Sequence, residues 1–263
     1  MYHLTLMKTK ILKKKSIEFL NTFRFVRTRL VKCELKSIPF WFYLSKRDDL
    51  YPFTLKNNFS AYENGSLVYW QEHCKNGIAI DIGAYTGIYS IVASVSGATE
   101  IYGFEPNNFS RAQFIENIYA NKACNIDVNR NALGSVDGND FLMMTKIRFH
   151  LRARRNGSGV QLGSSPIKRD LNRWQKGQDV IVSTLDSQIP KHLHERIKVI
   201  KIDVEGSELS VLMGATQILA KSESKLIIES LDNLATRSII HFLQEFSYKH
   251  VMTLSKNLIF EKD

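Results

Sequence analysis

Cysteine is scarce in this chain. There are three, Cys33, Cys74 and Cys124, odd in number and far apart, with no C-x-x-C pair. A disulfide framework or a structural zinc site needs cysteines in closely spaced sets. Reduced thiols in a cytoplasmic protein are therefore expected, and zinc is not. No apolar run reaches the ~20 residues of a membrane-spanning helix. The first residues carry charge but no apolar core segment and no small-residue cleavage site, so a secretory signal is not expected. Internal repeats and low-complexity tracts are missing. So are G-x-G-x-x-G, the turn of dinucleotide binders, and any Tyr-x-x-x-Lys pair for hydride transfer. Their absence disfavours the alternative of a nicotinamide-dependent oxidoreductase. A net charge of +10 invites a nucleic-acid reading. Against it, there is no Asn-Pro-Pro-Tyr motif for base amino groups and no aromatic RNA-binding signature.

What is present is unevenly spread. Residues 1–32 hold nine Lys or Arg against Glu18 alone, and residues 146–176 hold nine against Asp170 alone. Together they carry +16, which leaves about −6 for the rest, so the basicity is local. With 44% hydrophobic residues, the remainder can bury a sizeable core. Residues 8–36 mix basic side chains with Ile11, Leu12, Ile17, Phe19, Leu20, Phe23, Val26, Leu30 and Val31, a spacing that predicts a basic amphipathic helix. Such a helix lies on an anionic membrane surface, or packs on its own domain or a dimer partner. Residues 1–55 thus read as a basic helical extension and residues 56–263 as the main domain. The aromatic run IPFWFY at 38–43 is expected to pack on the core.

The central signal is IAIDIGAYTGIYS at 78–90. An apolar run closes on Asp81, two glycines follow, and a helix-compatible segment begins, which predicts strand, tight turn and helix. Gly83 and Gly87 let the backbone turn sharply, and Asp81 is placed as an acceptor at a cleft mouth. Alone, the stretch also fits a purely structural turn. The next apolar run, EIYGFE at 100–105, ends in Glu105 about twenty residues past the first turn, where a β-α-β unit presents an acid to a ribose. On this basis Gly83→Val is expected to abolish cofactor binding without unfolding the chain.

DIGAYTGIYS, GFEPNN, ENIYANK and NALG, followed by STLDS and KIDVEGSELSVLMGA, resemble the FkbM family of S-adenosylmethionine-dependent methyltransferases over residues 77–229. The resemblance implies a doubly wound, mostly parallel seven-stranded α/β sheet of the class I, Rossmann-like type. It implies S-adenosylmethionine as cofactor, and O-methylation of a hydroxyl on a sugar, glycan or related natural product. Cofactor contacts are expected from Asp81, Gly83, Ala84, Tyr85, Gly87 and Glu105, with Asn131 and Ala132 near the adenine. A nucleic-acid-binding methyltransferase remains an alternative.

The rest of the chain fits that order. Residues 63–75 read as a short helix, or residues 51–70 as strands. Helix 110–120, edge strand 126–129, strand 180–185, strand 197–204, helix 207–220, strand 226–229, helix 233–246 and a hairpin over 250–260 follow. Residues 146–176 read as an insertion, a hairpin over the active site whose arginines suit an anionic acceptor. Lys201 interrupts an apolar strand and is expected to reach outward past a strand edge. Acids at the strand ends, Asp81, Glu105, Asp203, Glu205 and Glu229, converge at the carboxyl edge of the sheet. Asp203 and Glu205, two apart, are expected to face the cleft as a pair, one of them the base for the acceptor hydroxyl. No histidine accompanies them at ligand spacing, so no metal is expected. The alternatives are that the pair holds a divalent cation through its oxygens, or that Asp203 caps the next helix and Glu205 binds backbone. A sugar or glycan acceptor, anionic or lipid-linked, a peripheral contact with an anionic membrane at its inner face, and a homodimer complete the expectations.

Overall fold

The protein is described from a computed structural model over residues 28–45, 63–145, 149–152, 174–230 and 232–262. It opens with a hairpin of β1 (Thr28–Leu35) and β2 (Ile38–Ser45). The strands pair antiparallel across Lys36 and Ser37, both at positive φ, 43° and 65°. Two successive left-handed residues give the hairpin turn whose twist matches that of its strands. This corrects the helix expected through residue 36. Along β1, Cys33 and Leu35 are buried while Lys32 and Glu34 face outward; along β2, Phe40, Phe42 and Leu44 are buried while Trp41 is exposed. The period is two, not 3.6, and neighbouring apolar residues had allowed both. The expected packing of IPFWFY on the core holds for Phe40 and Phe42. The remainder of the proposed basic helix lies outside the described residues.

Helix α1 (Asn64–His73) leads into β3 (Ile78–Ile82), α2 (Ile88–Ser96), β4 (Glu100–Phe104), α3 (Asn108–Ala120) and β5 (Ile126–Asn129). A second, four-stranded sheet follows, built from β6 (Ala132–Leu133), β7 (Gly138–Thr145), β8 (Phe149–Arg152) and β9 (Trp174–Ser183) in the order β6-β9-β7-β8. Residues 153–173, most of the expected insertion, are outside the described residues. The expected strand over 180–185 stops at Ser183, because Thr184 caps a short helix, α4 (Leu185–Gln188). A 3₁₀ turn (Lys191–Arg196) then enters β10 (Ile197–Ile202).

The expected helix over 207–220 is two helices, α5 (Glu208–Met213) and α6 (Thr216–Lys221). They break at Gly214, where an added Cβ would lie 2.0 Å from the Gly134 carbonyl oxygen. Asp186 caps the second piece, its carboxylate accepting from the backbone N–H of Gln217 at 2.9 Å and of Ile218 at 3.0 Å. β11 (Lys225–Glu229), α7 (Asn233–Gln244) and the hairpin of β12 (Tyr248–Leu254) and β13 (Asn257–Lys262) close the chain.

The main sheet has the order β12-β13-β11-β10-β3-β4-β5. β13 alone runs against its neighbours. Alternate residues of the central strands feed two cores. Ile78, Ile80, Ile82, Ile200, Ile202, Leu226 and Ile228 pack on one face, and Ala79, Ile101, Val199, Ile227 and Ile259 on the other. Each full burial of such an aliphatic side chain contributes about 1.5–3 kcal/mol. This explains why these strands read as nearly continuous apolar runs.

Candidate active site

The chain winds outward from β3 through β4 to β5, then crosses to β10 and β11 on the other side, so the topological switch falls between β3 and β10. In an open α/β sheet the ligand crevice lies outside the carboxyl ends at that switch. Two turns meet there, residues 83–87 after β3 and residues 203–207 after β10. They touch through backbone. Gly83 has φ +77°, and an added Cβ would sit 1.8 Å from the Asp203 carbonyl oxygen. Any side chain at residue 83 would therefore clash with protein, which corrects the expectation that Gly83→Val would spare the fold. Gly87, φ +88°, is closed in the same way by the Phe114 ring at 2.0 Å.

Asp81 sits beneath the first turn, not at a cleft mouth. It is 2% exposed, and its Oδ2 accepts from Ser90 N at 3.0 Å and Ser90 Oγ at 2.7 Å, tying α2 to β3. Burial pushes its pKa up to about 6, with the Ser90 bonds and the Lys201 charge pulling back. Glu105 braces the same turn from β4. Its Oε2 accepts from Tyr85 N at 2.8 Å and its Oε1 from Asn107 N at 2.7 Å. Burial pushes its pKa up to about 7 against those two backbone bonds. Tyr85 is left-handed at φ 51°, and Ala84 N donates to the Phe104 carbonyl at 3.0 Å.

The two carboxylate oxygens of Glu105 accept one bond each in these contacts, and each has a further lone pair. That capacity suits the vicinal hydroxyls of a ribose. Thr86 Oγ1, in the same turn, is buried without a hydrogen-bond partner. The residues present therefore fit a nucleoside-containing cofactor. Asn131 donates from its N–H to Asn129 Oδ1 and from its Nδ2 to Ser183 Oγ, both at 2.9 Å. Ala132 is buried in β6.

Across the switch, one ligating oxygen each of Glu63, Asp203 and Glu229 lies within 4.8 Å of the others. Their counter-charge is Lys201. It is 1% exposed and points inward, a correction to the outward reach expected of it. Its Nζ lies 3.3 Å from Asp203 Oδ2 and 2.8 Å from Asn257 Oδ1, and 5.3 Å from the Tyr89 ring centroid. Asn257 Nδ2 in turn donates to Ser66 Oγ at 3.1 Å, and Tyr89 Oη to Glu63 Oε2 at 2.6 Å. Despite burial, the Lys201 charge holds Asp203 below the usual carboxylate value. Burial and the Asp203 charge push Glu229 up to about 8.

Asp203 and Glu205, the expected pair, follow the end of β10 at Ile202, and Glu205 is left-handed at φ 56°. Its charge still reaches Glu229 and raises it. Capping of this turn falls to Glu208, whose Oε1 accepts from Gly206 N at 2.9 Å and Val204 N at 3.3 Å. Glu63, Tyr89 and Glu208 were missed from sequence. Lys201 was visible as a break in an apolar run, and only its direction was not.

A seven-stranded doubly wound sheet with one reversed strand, an acid-braced glycine turn at the switch and carboxylates facing it is the class I methyltransferase architecture. The profile of the methyltransferase FkbM domain matches residues 81–250. The chain belongs to this family, and the cofactor that goes with it is S-adenosylmethionine. Among solved structures it is similar to the FkbM methyltransferase of Methylobacillus flagellatus KT, with 17% identity over 81% of this chain and 55% of that one, TM-score 0.46. This chain thus spans about half the length of that protein. It is also similar to the Streptococcus mutans protein SMU.1697c, solved in complex with SAH, with 13% identity over 75% and 96% of the two chains, TM-score 0.44. A third similar structure is precorrin-6y C5,15-methyltransferase of Geobacter metallireducens GS-15, with 13% identity over 79% and 92%, TM-score 0.44. Comparison with curated protein sequences gives no match. Among the described residues, no helix is long and apolar enough to cross a membrane.

Proposed function

We propose that the chain is an O-methyltransferase acting on a hydroxyl of a sugar, glycan or related natural product. The observation that carries this is the carboxylate of Asp203, 27% exposed in its side chain and held at the switch by Lys201. When bound, S-adenosylmethionine supplies a methyl group already activated on a sulfonium. What is left to the protein is placement of the acceptor and disposal of its proton. In such a transfer the acceptor oxygen would supply the pair of the new oxygen–carbon bond, the pair of the broken carbon–sulfur bond would stay on sulfur as a thioether, and Asp203 would take the hydroxyl proton. A weak base is sufficient, because the methylated oxygen becomes strongly acidic as it forms, so position matters more than proton affinity. Lys201 keeps Asp203 ionised and ready to accept. Glu105 orients the ribose from the opposite side of the turn.

The acceptor is read as anionic or lipid-linked, from the basic residues of segment 146–176 and of the N-terminal extension. On the same reading the protein works in the cytoplasm, peripherally at the inner face of the membrane. The test is transfer of tritiated methyl from S-adenosylmethionine to a panel of free sugars, nucleotide sugars and lipid-linked sugars. Base-stable label on a hydroxyl, lost in Asp203→Asn, is the expected result. Label only on nitrogen, carbon or a base-labile ester would refute the O-methyl reading.

A further inference from the structure

Helix α3 gives β2 the partner that a further strand would. Trp41 and Tyr43, alternate residues of β2, aim their backbone N–H and C=O groups to the edge away from β1. Among the described residues, no strand covers that edge. Amide side chains at positions 113, 117 and 121, four apart and so on one face of α3 and its C-terminal end, meet it instead. Asn121 Oδ1 accepts from Trp41 N at 2.7 Å, and its Nδ2 donates to the Trp41 carbonyl at 2.6 Å. Gln113 Nε2 donates to the Tyr43 carbonyl, and Asn117 Oδ1 accepts from Tyr43 N, both at 2.7 Å. Both asparagines come from ENIYANK.

Asn117 makes a second contact. It is fully buried, and its Nδ2 donates to the Thr86 carbonyl at 2.8 Å, inside the 83–87 turn. The two contacts fix its amide, because a flip would set N–H against N–H and oxygen against carbonyl. The turn needs such a hold. Tyr85 is left-handed at φ 51°, a conformation that a non-glycine residue keeps only where its surroundings fix it. Glu105 holds the N–H of Tyr85 from β4, and Asn117 holds the carbonyl of the next residue from α3.

We propose that Asn117 is a positioning residue for the cofactor. It fixes the 83–87 turn for S-adenosylmethionine and, through Tyr43, makes the N-terminal hairpin part of the cofactor's support. Such a coupling is reciprocal. A hairpin loosened from α3 weakens cofactor binding, and bound cofactor steadies the hairpin. The proposal rests on the cofactor seat at residues 83–87 and not on the choice of methyl acceptor.

The test uses the full-length chain and S-adenosylhomocysteine, without an acceptor. Calorimetry of the unmutated chain measures the seat itself, and absence of binding there would overturn the seat and the coupling together. Asn117→Asp keeps an acceptor for Tyr43 N and sets a second acceptor against the Thr86 carbonyl. Its Kd is expected to rise about tenfold, the upper end for one hydrogen bond. Asn121→Ala removes two bonds to β2 and none to the turn, and is expected to raise Kd about threefold. Gly97→Ala, a destabilising change at the far end of α2, is expected to leave Kd unchanged. Unchanged affinity in the Asn117 and Asn121 variants would overturn the proposal. So would an equal loss in Gly97→Ala, which would make the effect one of general stability. Hydrogen exchange of the unmutated chain decides the case even where Asn117→Asp does not fold. Saturating S-adenosylhomocysteine is expected to slow the Trp41 and Tyr43 amides several-fold, and more than those of β12 at the opposite edge of the main sheet. No slowing at Trp41 and Tyr43, or the same slowing in β12, would overturn the coupling.

Discussion

Glu105 links the fold to the cofactor through one carboxylate. Its oxygens brace the 83–87 turn, and their remaining lone pairs are what a ribose requires. Glu105→Ala should weaken S-adenosylhomocysteine binding by about 1.5–3 kcal/mol by calorimetry, the scale of a hydrogen bond to a charged group. The pH dependence has two opposite signs. Asp81, Glu105 and Glu229 all have folded-state pKa values raised above their ordinary ones, to about 6, about 7 and about 8. The folded chain holds these protons more tightly than the unfolded chain does. Their stabilising contribution is therefore full below the unfolded values and is lost as pH rises through the folded ones, by up to ~1.4 kcal/mol per pH unit for each proton. Urea unfolding of the cofactor-free protein should show stability falling from about pH 5 to about pH 8, with a shallower fall in Glu105→Gln. Cofactor affinity should rise over the same range, because ionised Glu105 is the better acceptor. A stability that rises with pH there would refute the assigned burial of these acids.

At the scale of elements, the two turns at the switch are built as one unit. Gly83 is required by its left-handed φ and by the Asp203 carbonyl that occupies the space of its missing side chain. Gly97, φ +99°, caps the end of α2 with nothing within 4 Å of an added Cβ. Gly97→Ala should therefore cost only the left-handed strain of about 1–2 kcal/mol. Gly83→Ala should cost distinctly more, since β3 and β10 must also part. Chemical unfolding of both variants measures the difference, and equal losses would show that the clash relaxes freely. β1 teaches a similar lesson. Residues 28–35 were expected to continue a helix, and the hairpin with β2 overrides this by burying Cys33 and Leu35 against the sheet's second core.

For the whole molecule, the boundary of the N-terminal extension matters. Deletion through residue 36 would remove β1, a strand of the folded body, and is expected to unfold the protein. Deletion of residues 1–27 leaves β1 intact. That variant should keep S-adenosylhomocysteine binding and lose sedimentation with anionic liposomes, most clearly at low salt, at about 1 kcal/mol per basic residue near the surface. Unchanged sedimentation together with loss of a dimer would instead make the segment an assembly element.

Much of this architecture was legible because the information is local. Largely apolar runs at 78–82, 197–202 and 225–229, each leading through a turn into a helix, suffice to specify a parallel sheet and its winding. The DIGAYTG turn and KIDVEG strand end suffice for the family. Strand periodicity and turn chemistry depend on near neighbours, so sequence by itself determined the sheet, the cofactor edge and the reversed terminal hairpin. Which carboxylates meet was decided only by tertiary structure. Glu229 on the next strand and Glu63 ahead of a distant helix come within 4.8 Å of Asp203, which no spacing in the sequence announced. Lys201 turns inward because those acids and Asn257 surround it there, a compensation no stretch of sequence displays. Buried charge is tolerated only where remote elements converge to pair it, and that convergence belongs to the folded chain.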